Sequence, residues 1–411
     1  MPFHGSIADH AFPEVLSNSV PSLGQSDRKS REPAPSMAVT FLMPCYCWAP
    51  SGGFRIVYEY ANQLVARGHR VTVIHPRRLA FRPPEKFTLR QRARRLRLRT
   101  VEIVRRPKID WHKIDPRVRL AYVSASSAAH FPDADVVFAT AWHTVQSVLA
   151  LPPSKGRKCY LIQGFESFLG PRDLVAATWR APLHKVVVAN WLRDLAADLG
   201  AGPVTYIPNA IDPSLYRLLE PIEQRGRCVS MAASPVPVKA ANDGVQALVI
   251  AKQKHTDLQA VLFGPAPPPL ALPDWITYLC NPPQQAIIDV YNRSSIFLSS
   301  SLSEGFGLPP AEAASCGCAL VATDVGGLRD YLEHGVTGLF SPPADPAALA
   351  KNLCALLDND ALRIRLAKAA RLRISEFTWS RSVALMEQFL RKVCAESSFV
   401  GSASRQAGVE S

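Results

Sequence analysis

The sequence lacks the features that mark several large classes of protein. None of its apolar runs approaches the roughly 18 residues that span a bilayer, and the chain does not begin with a charged-then-apolar signal peptide. It contains no G-x-G-x-x-G motif, which would indicate a nicotinamide cofactor, and no repeat of solenoid length. At 411 residues, 47% of them hydrophobic, the chain is typical of a globular protein with two domains of ordinary size.

Cysteine patterns that bind metals are also missing. The nine cysteines are scattered singly apart from the pairs Cys45/Cys47 and Cys316/Cys318, and neither pair has Cys or His partners at zinc-like spacing. We therefore expect nine reduced, mostly buried thiols in a cytoplasmic protein.

Positive charge is concentrated in one segment, residues 77–119. That segment holds 16 Lys and Arg residues against four acids, a net of +12 out of the +13 of the whole chain. Such a run is either a solvated basic loop or a contact for an anionic membrane surface or lipid carrier. Aromatic residues do not interleave with the arginines and no nucleic-acid module is present, so we expect no nucleic-acid partner. The membrane interpretation predicts a cytoplasmic protein that is peripheral on the inner face of the membrane.

Strand-like and helical patterns alternate in two blocks. This predicts an α/β fold with two doubly wound parallel-sheet (Rossmann-like) domains facing across a cleft, where the carboxyl ends of the strands would bind ligands. We expect domains at 37–210 and 211–376, followed by a helix at 377–396 that crosses back to the first domain. Residues 1–36 and 397–411 are expected to be a disordered leader and tail. Met37 directly precedes the first strand, which leaves the start of translation open between Met1 and Met37.

The stretch from Glu304 to Gly317 carries the most chemistry. A glycine-bearing turn leads into Pro309 and Pro310, which suit a first helical turn, and Gly317 suits the cap that ends a helix. The amino end of such a helix attracts an anion such as a diphosphate. Glu304 lies just before this anion site and Glu312 inside the first turn, where carboxylates suit a hydroxyl-rich ligand such as a ribose or a hexose. For Glu312 alone, an acidic residue favoured by the helix dipole is the alternative.

This E-x7-E arrangement, with Gly305, Phe306, Gly307 and Leu308 in the loop, closely resembles the donor site of the retaining GT-B glycosyltransferases of family 4 (glycosyl transferases group 1). The similarity continues through residues 321–327 and 335–340 and, more weakly, through 208–212; overall it covers roughly residues 38 to 395. It implies a hexosyltransferase that moves a sugar from a nucleotide-diphosphate sugar to a hydroxyl of a glycan or lipid-linked acceptor. Surface polysaccharide or glycolipid synthesis would be its setting, with the acceptor on the first domain and the donor on the second.

The resemblance also assigns roles to single residues. Glu304 would orient the donor-sugar hydroxyls, Glu312 would hold the ribose, and His143 would contact the donor sugar from the opposite domain. Lys239 would contact the diphosphate. Family members commonly have an arginine five residues before that lysine, whereas this chain has Ser234, which leaves the diphosphate one cation short.

The remaining donor-site candidates lie in two loops. Residues 305–308 form the loop before the helix, and Gly52 and Gly53 lie in a turn between a strand and a helix, where the missing Cβ lets N–H groups approach a ligand. A simple turn is the alternative for the two glycines. The segment 163–166 also follows a strand and is a candidate to face the acceptor.

Retaining members of the family are thought to use front-face attack, in which the departing phosphate oxygen takes the acceptor proton. The resemblance therefore implies no cofactor besides the donor substrate, and no metal is expected because no Asp-x-Asp-like cluster stands beside the donor site. Three alternatives stay open at this point. They are a nucleotide-sugar epimerase of the same fold, a non-catalytic sugar-nucleotide-binding protein, which Ser234 makes plausible, and a nucleic-acid binder relying on the basic segment.

Overall fold

The computed structural model describes residues 35–47, 49–79 and 109–406, with side chains to residue 396. Nearly all of the predicted leader lies outside the described residues. So do most of the basic segment 77–119 and a strand predicted at 101–104. Within the described ranges, thirteen strands form two wholly parallel sheets, which confirms the predicted fold class.

The first sheet has seven strands in the order β3-β2-β1-β4-β5-β6-β7. The strands are β1 (Ala38–Leu42), β2 (Arg70–Arg78), β3 (Arg119–Ala125), β4 (Val136–Ala139), β5 (Arg157–Ile162), β6 (His184–Val187) and β7 (Val204–Tyr206). The described helices between them are α1 (Gly52–Ala66), α2 (Val145–Leu149), α3 (Arg172–Trp179) and α4 (Asn190–Asp198). The strand order reverses between β1 and β4, and ligands of doubly wound sheets bind at such a switch point.

The second sheet has six strands in the order β10-β9-β8-β11-β12-β13, the Rossmann order. Its strands are β8 (Cys228–Ala232), β9 (Gln259–Gly264), β10 (Ile276–Cys280), β11 (Ile296–Ser299), β12 (Ala319–Thr323) and β13 (Leu339–Ser341). Its helices are α5 (Ala241–Lys254), α6 (Gln284–Arg293), α7 (Leu308–Ser315), α8 (Pro346–Asp358) and α9 (Asp360–Ile374). Here the switch point lies between β8 and β11, so a ligand is expected to bind at the loops that follow these two strands.

Burial explains why the central strands are recognisable in the sequence. Strands β1, β11 and β12 are buried at every position, because helices cover both faces of a parallel sheet, and they form compact apolar runs. Two strands were not predicted. Strand β3 is a half-buried edge strand with a mixed sequence, and β13 is only three residues long. Helix α1 begins at Gly52 rather than at Phe54, so both glycines belong to its first turn.

A long last helix, α10 (Trp379–Gln406), packs against the first domain. The Trp379 ring meets that of Tyr60 edge-on at 5.2 Å, and Glu387 forms an ion pair with Arg67 at the end of α1. The helix runs past residue 396, where the sequence suggested that it would end. None of the described helices combines the length and apolar character that a membrane crossing requires.

Candidate donor site between the two sheets

Lys239 and Glu304 meet at the switch point of the second sheet. Lys239 ends a short 3-10 turn after β8, and Glu304 lies in the loop after β11. The Lys239 Nζ donates to both carboxylate oxygens of Glu304, at 2.7 and 2.8 Å, and the Ser301 hydroxyl donates to one of them at 2.7 Å. The glutamate is only 8% exposed. Because a buried carboxylate needs such partners, these contacts set the position of Glu304.

Backbone contacts hold these two loops against each other. The N–H of Leu302 donates to the Val238 carbonyl at 2.8 Å, and the Ser300 hydroxyl donates to the Ala240 carbonyl at 2.9 Å. The Ser234 hydroxyl accepts a bond from the backbone N–H of Val236 at 3.3 Å. The residue at the position of the missing arginine therefore makes a local turn contact.

Glu312 lies at the start of the second turn of α7, because that helix begins at Leu308. It is 4% exposed, and it forms an ion pair with Arg55, which comes from α1 of the first domain. The Tyr291 hydroxyl donates to its other oxygen at 3.1 Å. The ion pair therefore connects the two domains through a residue that sequence reasoning missed. Its signal was present, because Arg55 is a cation that closely follows Gly52 and Gly53, the two glycines predicted to approach a ligand.

Arg55 is charged in this setting. Burial lowers its pKa, but the Glu312 carboxylate and the Tyr216 hydroxyl raise it by more, so the net shift is upward. The other guanidinium nitrogen, Nη1, donates to the Tyr216 hydroxyl at 2.9 Å, and Gln284 donates to the same hydroxyl at 3.0 Å.

The glycine-bearing loop is in close contact with the first domain. A Cβ on Gly305 would lie 1.8 Å from the backbone oxygen of Gln163, and the Trp191 indole donates to the Gly305 carbonyl at 2.9 Å. Gly307 adopts a left-handed φ of 83° directly before α7. The side chain of Leu308 approaches Gly52 at the start of α1, where an added Cβ would be 3.3 Å from it. The amino ends of α1 and α7 thus face each other across the cleft.

The ring of Phe306, one of the donor-site candidates, is buried. It is 3% exposed and packs on Tyr331 and Phe377 at centroid distances of 5.3 and 5.6 Å. This leaves its backbone, rather than its ring, to approach a ligand. The amino end of α7 also has fewer donors than expected, because its second and third residues, Pro309 and Pro310, have no N–H.

His143 follows β4 at the switch point of the first sheet. It lies half-buried in a 3-10 turn, with its ring edge-to-face against Trp142 at 5.6 Å. The backbone N–H of Trp142 donates to the Glu166 carboxylate at 2.7 Å. Burial raises the pKa of Glu166 to about 7, and the bond from Trp142 opposes that rise. A titratable carboxyl from segment 163–166, the candidate to face the acceptor, therefore contacts Trp142, the residue before His143.

Two cavities lie beside segment 211–223. One of about 650 Å³ lies between this segment and the end of α9, and the described candidate residues do not line it. The other, of about 20 Å³, is lined by Arg55, Tyr216 and Gln284 but not by Glu312.

Two facing Rossmann-like sheets, with buried carboxylates and cations where their carboxyl edges meet, define the GT-B class of glycosyltransferases. The chain matches the family model for glycosyl transferases group 1 over residues 222–373 and that for glycosyltransferase family 4 over residues 50–215, together about three quarters of its length. It belongs to this family of glycosyltransferases.

Curated relatives and solved structures agree with this assignment. The chain is 39% identical over 110 residues to a D-inositol 3-phosphate glycosyltransferase of Xylanimonas cellulosilytica, covering 26% of each chain. It is 30% identical over 193 residues to the enzyme of the same name from Salinispora arenicola, covering 42% of this chain and 43% of that one. The matches thus span less than half the length of these relatives.

Two solved structures share the fold along almost their whole length. Sucrose-phosphate synthase from Thermosynechococcus elongatus superposes with a TM-score of 0.68 at 16% identity, covering 88% of this chain and all of that one. Anabaena HepE in complex with UDP-glucose superposes with a TM-score of 0.62 at 16% identity, covering 87% of this chain and 100% of that one. At this identity the likeness concerns the fold alone.

Proposed function

We propose that this protein is a retaining, metal-independent hexosyltransferase that moves a sugar from a nucleotide-diphosphate sugar to a hydroxyl of a glycan or lipid-linked acceptor. Surface polysaccharide or glycolipid synthesis is the proposed setting. The observation that carries the proposal is the Lys239–Glu304 pair at the switch point of the second sheet. The loop that contains Glu304 contacts the opposite domain at Gly305. A diphosphate needs a preorganised cation and a sugar needs hydroxyl acceptors, and this pair supplies both.

The proposed reaction is a displacement with retention at C1 of the sugar. The bond from C1 to the phosphate oxygen breaks, the bond from C1 to the acceptor oxygen forms on the same face, and the acceptor proton passes to the departing phosphate. Lys239 would offset the negative charge that grows on the diphosphate. Glu304 would accept bonds from the sugar hydroxyls and stabilise the positive charge that develops at C1. His143 would contact the same sugar from the first domain.

The comparisons support a choice of substrates for the first assays. Two of the structurally similar proteins, Anabaena HepE and S. aureus TarM, were solved with UDP-glucose and with UDP respectively, which favours a uridine nucleotide as the first donor to test. Curated relatives are named for transfer to D-inositol 3-phosphate, so a phosphorylated polyol belongs among the acceptors beside glycans and lipid-linked sugars.

The experiment has two stages. A thermal-shift screen of nucleoside diphosphates and their sugars identifies the donor, because a ligand that binds the native state raises its melting temperature. The donor that stabilises most is then incubated with and without acceptors, and both nucleoside diphosphate release and the anomeric configuration of the product are measured. Acceptor-dependent release with an unchanged configuration at C1, also in the presence of EDTA, is expected.

Other outcomes point to the competing functions. Conversion of the donor to an isomeric sugar nucleotide without acceptor would identify an epimerase. Tight donor binding with no turnover on any acceptor would identify a non-catalytic binding protein. Inversion at C1 would overturn the proposed stereochemistry and leave the transferase class intact.

We also propose that the basic segment 77–119 brings the enzyme to an anionic membrane surface. Its net charge of +12 supports this proposal, since each cation near such a surface contributes about 1 kcal/mol.

A further inference from the structure

Arg55 binds the Glu312 carboxylate, which in the proposed function binds the ribose of the donor. It binds one oxygen of Glu312, and the Tyr291 hydroxyl binds the other at 3.1 Å. Glu312 itself is 4% exposed. Because both of its oxygens are engaged, a ribose can bind this carboxylate only if the contact between Arg55 and Glu312 changes.

The position of Arg55 allows such a change. It is the fourth residue of α1, one turn from the point where Gly52 meets Leu308 of the opposite domain. Its side chain is 22% exposed, against 5% for that of Glu312, so Arg55 is the more accessible partner of the pair. An arginine side chain of this exposure can turn to a new partner, while the buried carboxylate stays in place.

The donor site also needs a second cation. Pro309 and Pro310 leave the first turn of α7 with few N–H groups to offer a phosphate. Ser234 carries no charge, and its hydroxyl is engaged in the turn before Lys239. Lys239 alone would therefore face the two negative charges of a diphosphate, and Lys239 is itself bound to Glu304.

We propose that Arg55 is the second diphosphate-binding cation, and that it exchanges Glu312 for the donor phosphates when the nucleotide binds. The planar guanidinium can bind two phosphate oxygens at once, and the freed carboxylate can then accept bonds from the ribose hydroxyls. The donor itself then connects α1 to α7. This inference rests on the proposed function, because it requires a nucleotide-diphosphate donor.

The test compares a ligand that has the diphosphate with one that lacks it. Affinities for UDP and for uridine are measured by titration calorimetry on the parent, Arg55→Gln and Arg55→Lys, with GDP and guanosine as a parallel pair. Arg55→Gln should weaken UDP binding by about tenfold or more, as expected for the loss of a charge-assisted contact. Uridine binding should stay equal or become tighter, because the variant frees Glu312. Arg55→Lys should recover part of the UDP affinity.

Arg67→Gln is the matched control. Arg67 directly follows α1 and forms an ion pair with Glu387 of α10, away from the donor site. This variant should bind UDP and uridine like the parent. Melting curves of all variants show whether a loss of affinity reflects a loss of folded protein.

The outcomes separate this inference from the proposed function. Equal weakening of UDP and uridine binding would make Arg55 a structural residue and overturn the exchange. Tighter binding of both would make it only a blocking residue, and unchanged binding of both would place the diphosphate elsewhere. If the parent binds no nucleoside diphosphate, the proposed function itself fails and the inference fails with it.

Discussion

At the scale of single residues, the candidate donor site consists of two ion pairs, Lys239–Glu304 and Arg55–Glu312. Both glutamates are buried, and an unpaired buried carboxylate costs several kcal/mol. Pairing each acid with a cation therefore keeps the net charge of the site close to zero. In the proposed function the same four side chains change partners, with the cations going to phosphate and the acids to hydroxyls.

Lys239→Ala tests the cation of the second domain. We expect kcat/KM to fall by on the order of 10²-fold or more, because a preorganised contact to the leaving group is lost. Lys254→Ala is the control, since Lys254 is an exposed lysine that also pairs with an acid, Asp358, at the end of α5. A loss below about threefold for Lys239→Ala would place the diphosphate elsewhere.

Glu304→Gln and Glu312→Gln separate the roles of the two acids. The ribose does not react, so its contacts to Glu312 should be equally strong in the ground and transition states, and Glu312→Gln should raise the donor KM with little change in kcat. Glu304 should face the sugar on which positive charge develops, so Glu304→Gln should lower kcat with nucleotide affinity nearly unchanged. Steady-state kinetics and nucleoside diphosphate titrations measure both effects. The reverse pattern would show that the two roles are exchanged.

Glu166 should make the stability of the protein depend on pH. Its pKa is about 7 in the folded protein and has the ordinary value of 4.5 when unfolded. The folded state thus binds more protons between these values, so this group stabilises the protein at low pH and loses that contribution as pH rises from about 4.5 through about 7. Glu166→Gln should therefore raise the melting temperature relative to the parent above pH 7 and not at pH 4.5. The exposed Glu333 provides the control variant, for which no such difference is expected.

At the scale of elements, the loop between β11 and α7 connects the donor site to the first domain. Glycines permit approaches that a side chain would block. The Cβ of any other residue at 305 would overlap the Gln163 backbone oxygen, and a Cβ at Gly327, in the turn after β12, would lie 2.2 Å from the Gly305 oxygen. Domain contact and loop conformation are therefore coupled through Gly305.

Gly305→Ala should keep the two domains from their observed contact. Since the obstacle is backbone, relief requires the domains to separate, and a displacement of about 1 Å at a reaction centre can cost on the order of 10²-fold in rate. We expect that loss in kcat/KM, together with a larger radius of gyration in solution scattering. Gly226→Ala is the control, because open space surrounds that glycine. Parent-like activity of Gly305→Ala would show that this contact is not needed in the reacting state.

At the scale of the whole molecule, the net charge is distributed unevenly along the chain. Segment 77–119 carries nearly the whole net charge. Of its described residues, 77 and 78 end β2 and 119 begins β3. Substitutions in the basic run of this segment should therefore change the binding of anionic partners more than the binding of the donor nucleotide.

The membrane proposal is tested by replacing the basic run with glutamine at Arg92, Arg94, Arg95, Arg97 and Arg99. Vesicle co-sedimentation should show weaker binding to anionic vesicles, and the difference should shrink as salt is added. Nucleotide affinity should match that of the parent. Equal vesicle binding by variant and parent at low salt would end the membrane proposal.

A second variant with the same loss of charge distinguishes a local cluster from net charge. It carries five dispersed substitutions to glutamine at exposed cations of the two domains, namely Arg193, Arg227, Lys254, Arg329 and Arg373. If the local run is responsible, this variant should bind anionic vesicles almost as well as the parent.

The sequence by itself determined the fold class and the identity of the central elements. Buried parallel strands such as β8, β11 and β12 are short apolar runs. Their sequences predict strands at 228–232, 296–299 and 319–323, and these bounds agree with the structure because burial on both faces leaves little choice of residue. The edge strand β3 could not be found in this way, since it is buried on fewer sides and its sequence is mixed. The motif around Glu304 and Glu312 was equally visible, because its residues are close in sequence.

Tertiary structure alone decided which side chains meet. Arg55 and Glu312 are 257 positions apart, and Lys239 and Glu304 are 65 apart, so neither pairing follows from a local pattern. The contact between α1 and α7 depends on how the two sheets face each other, and the two ion pairs of the site reflect the need to pair buried charges. The burial of the Phe306 ring and the raised pKa of Glu166 have the same origin, since both arise from neighbours that only the folded chain supplies.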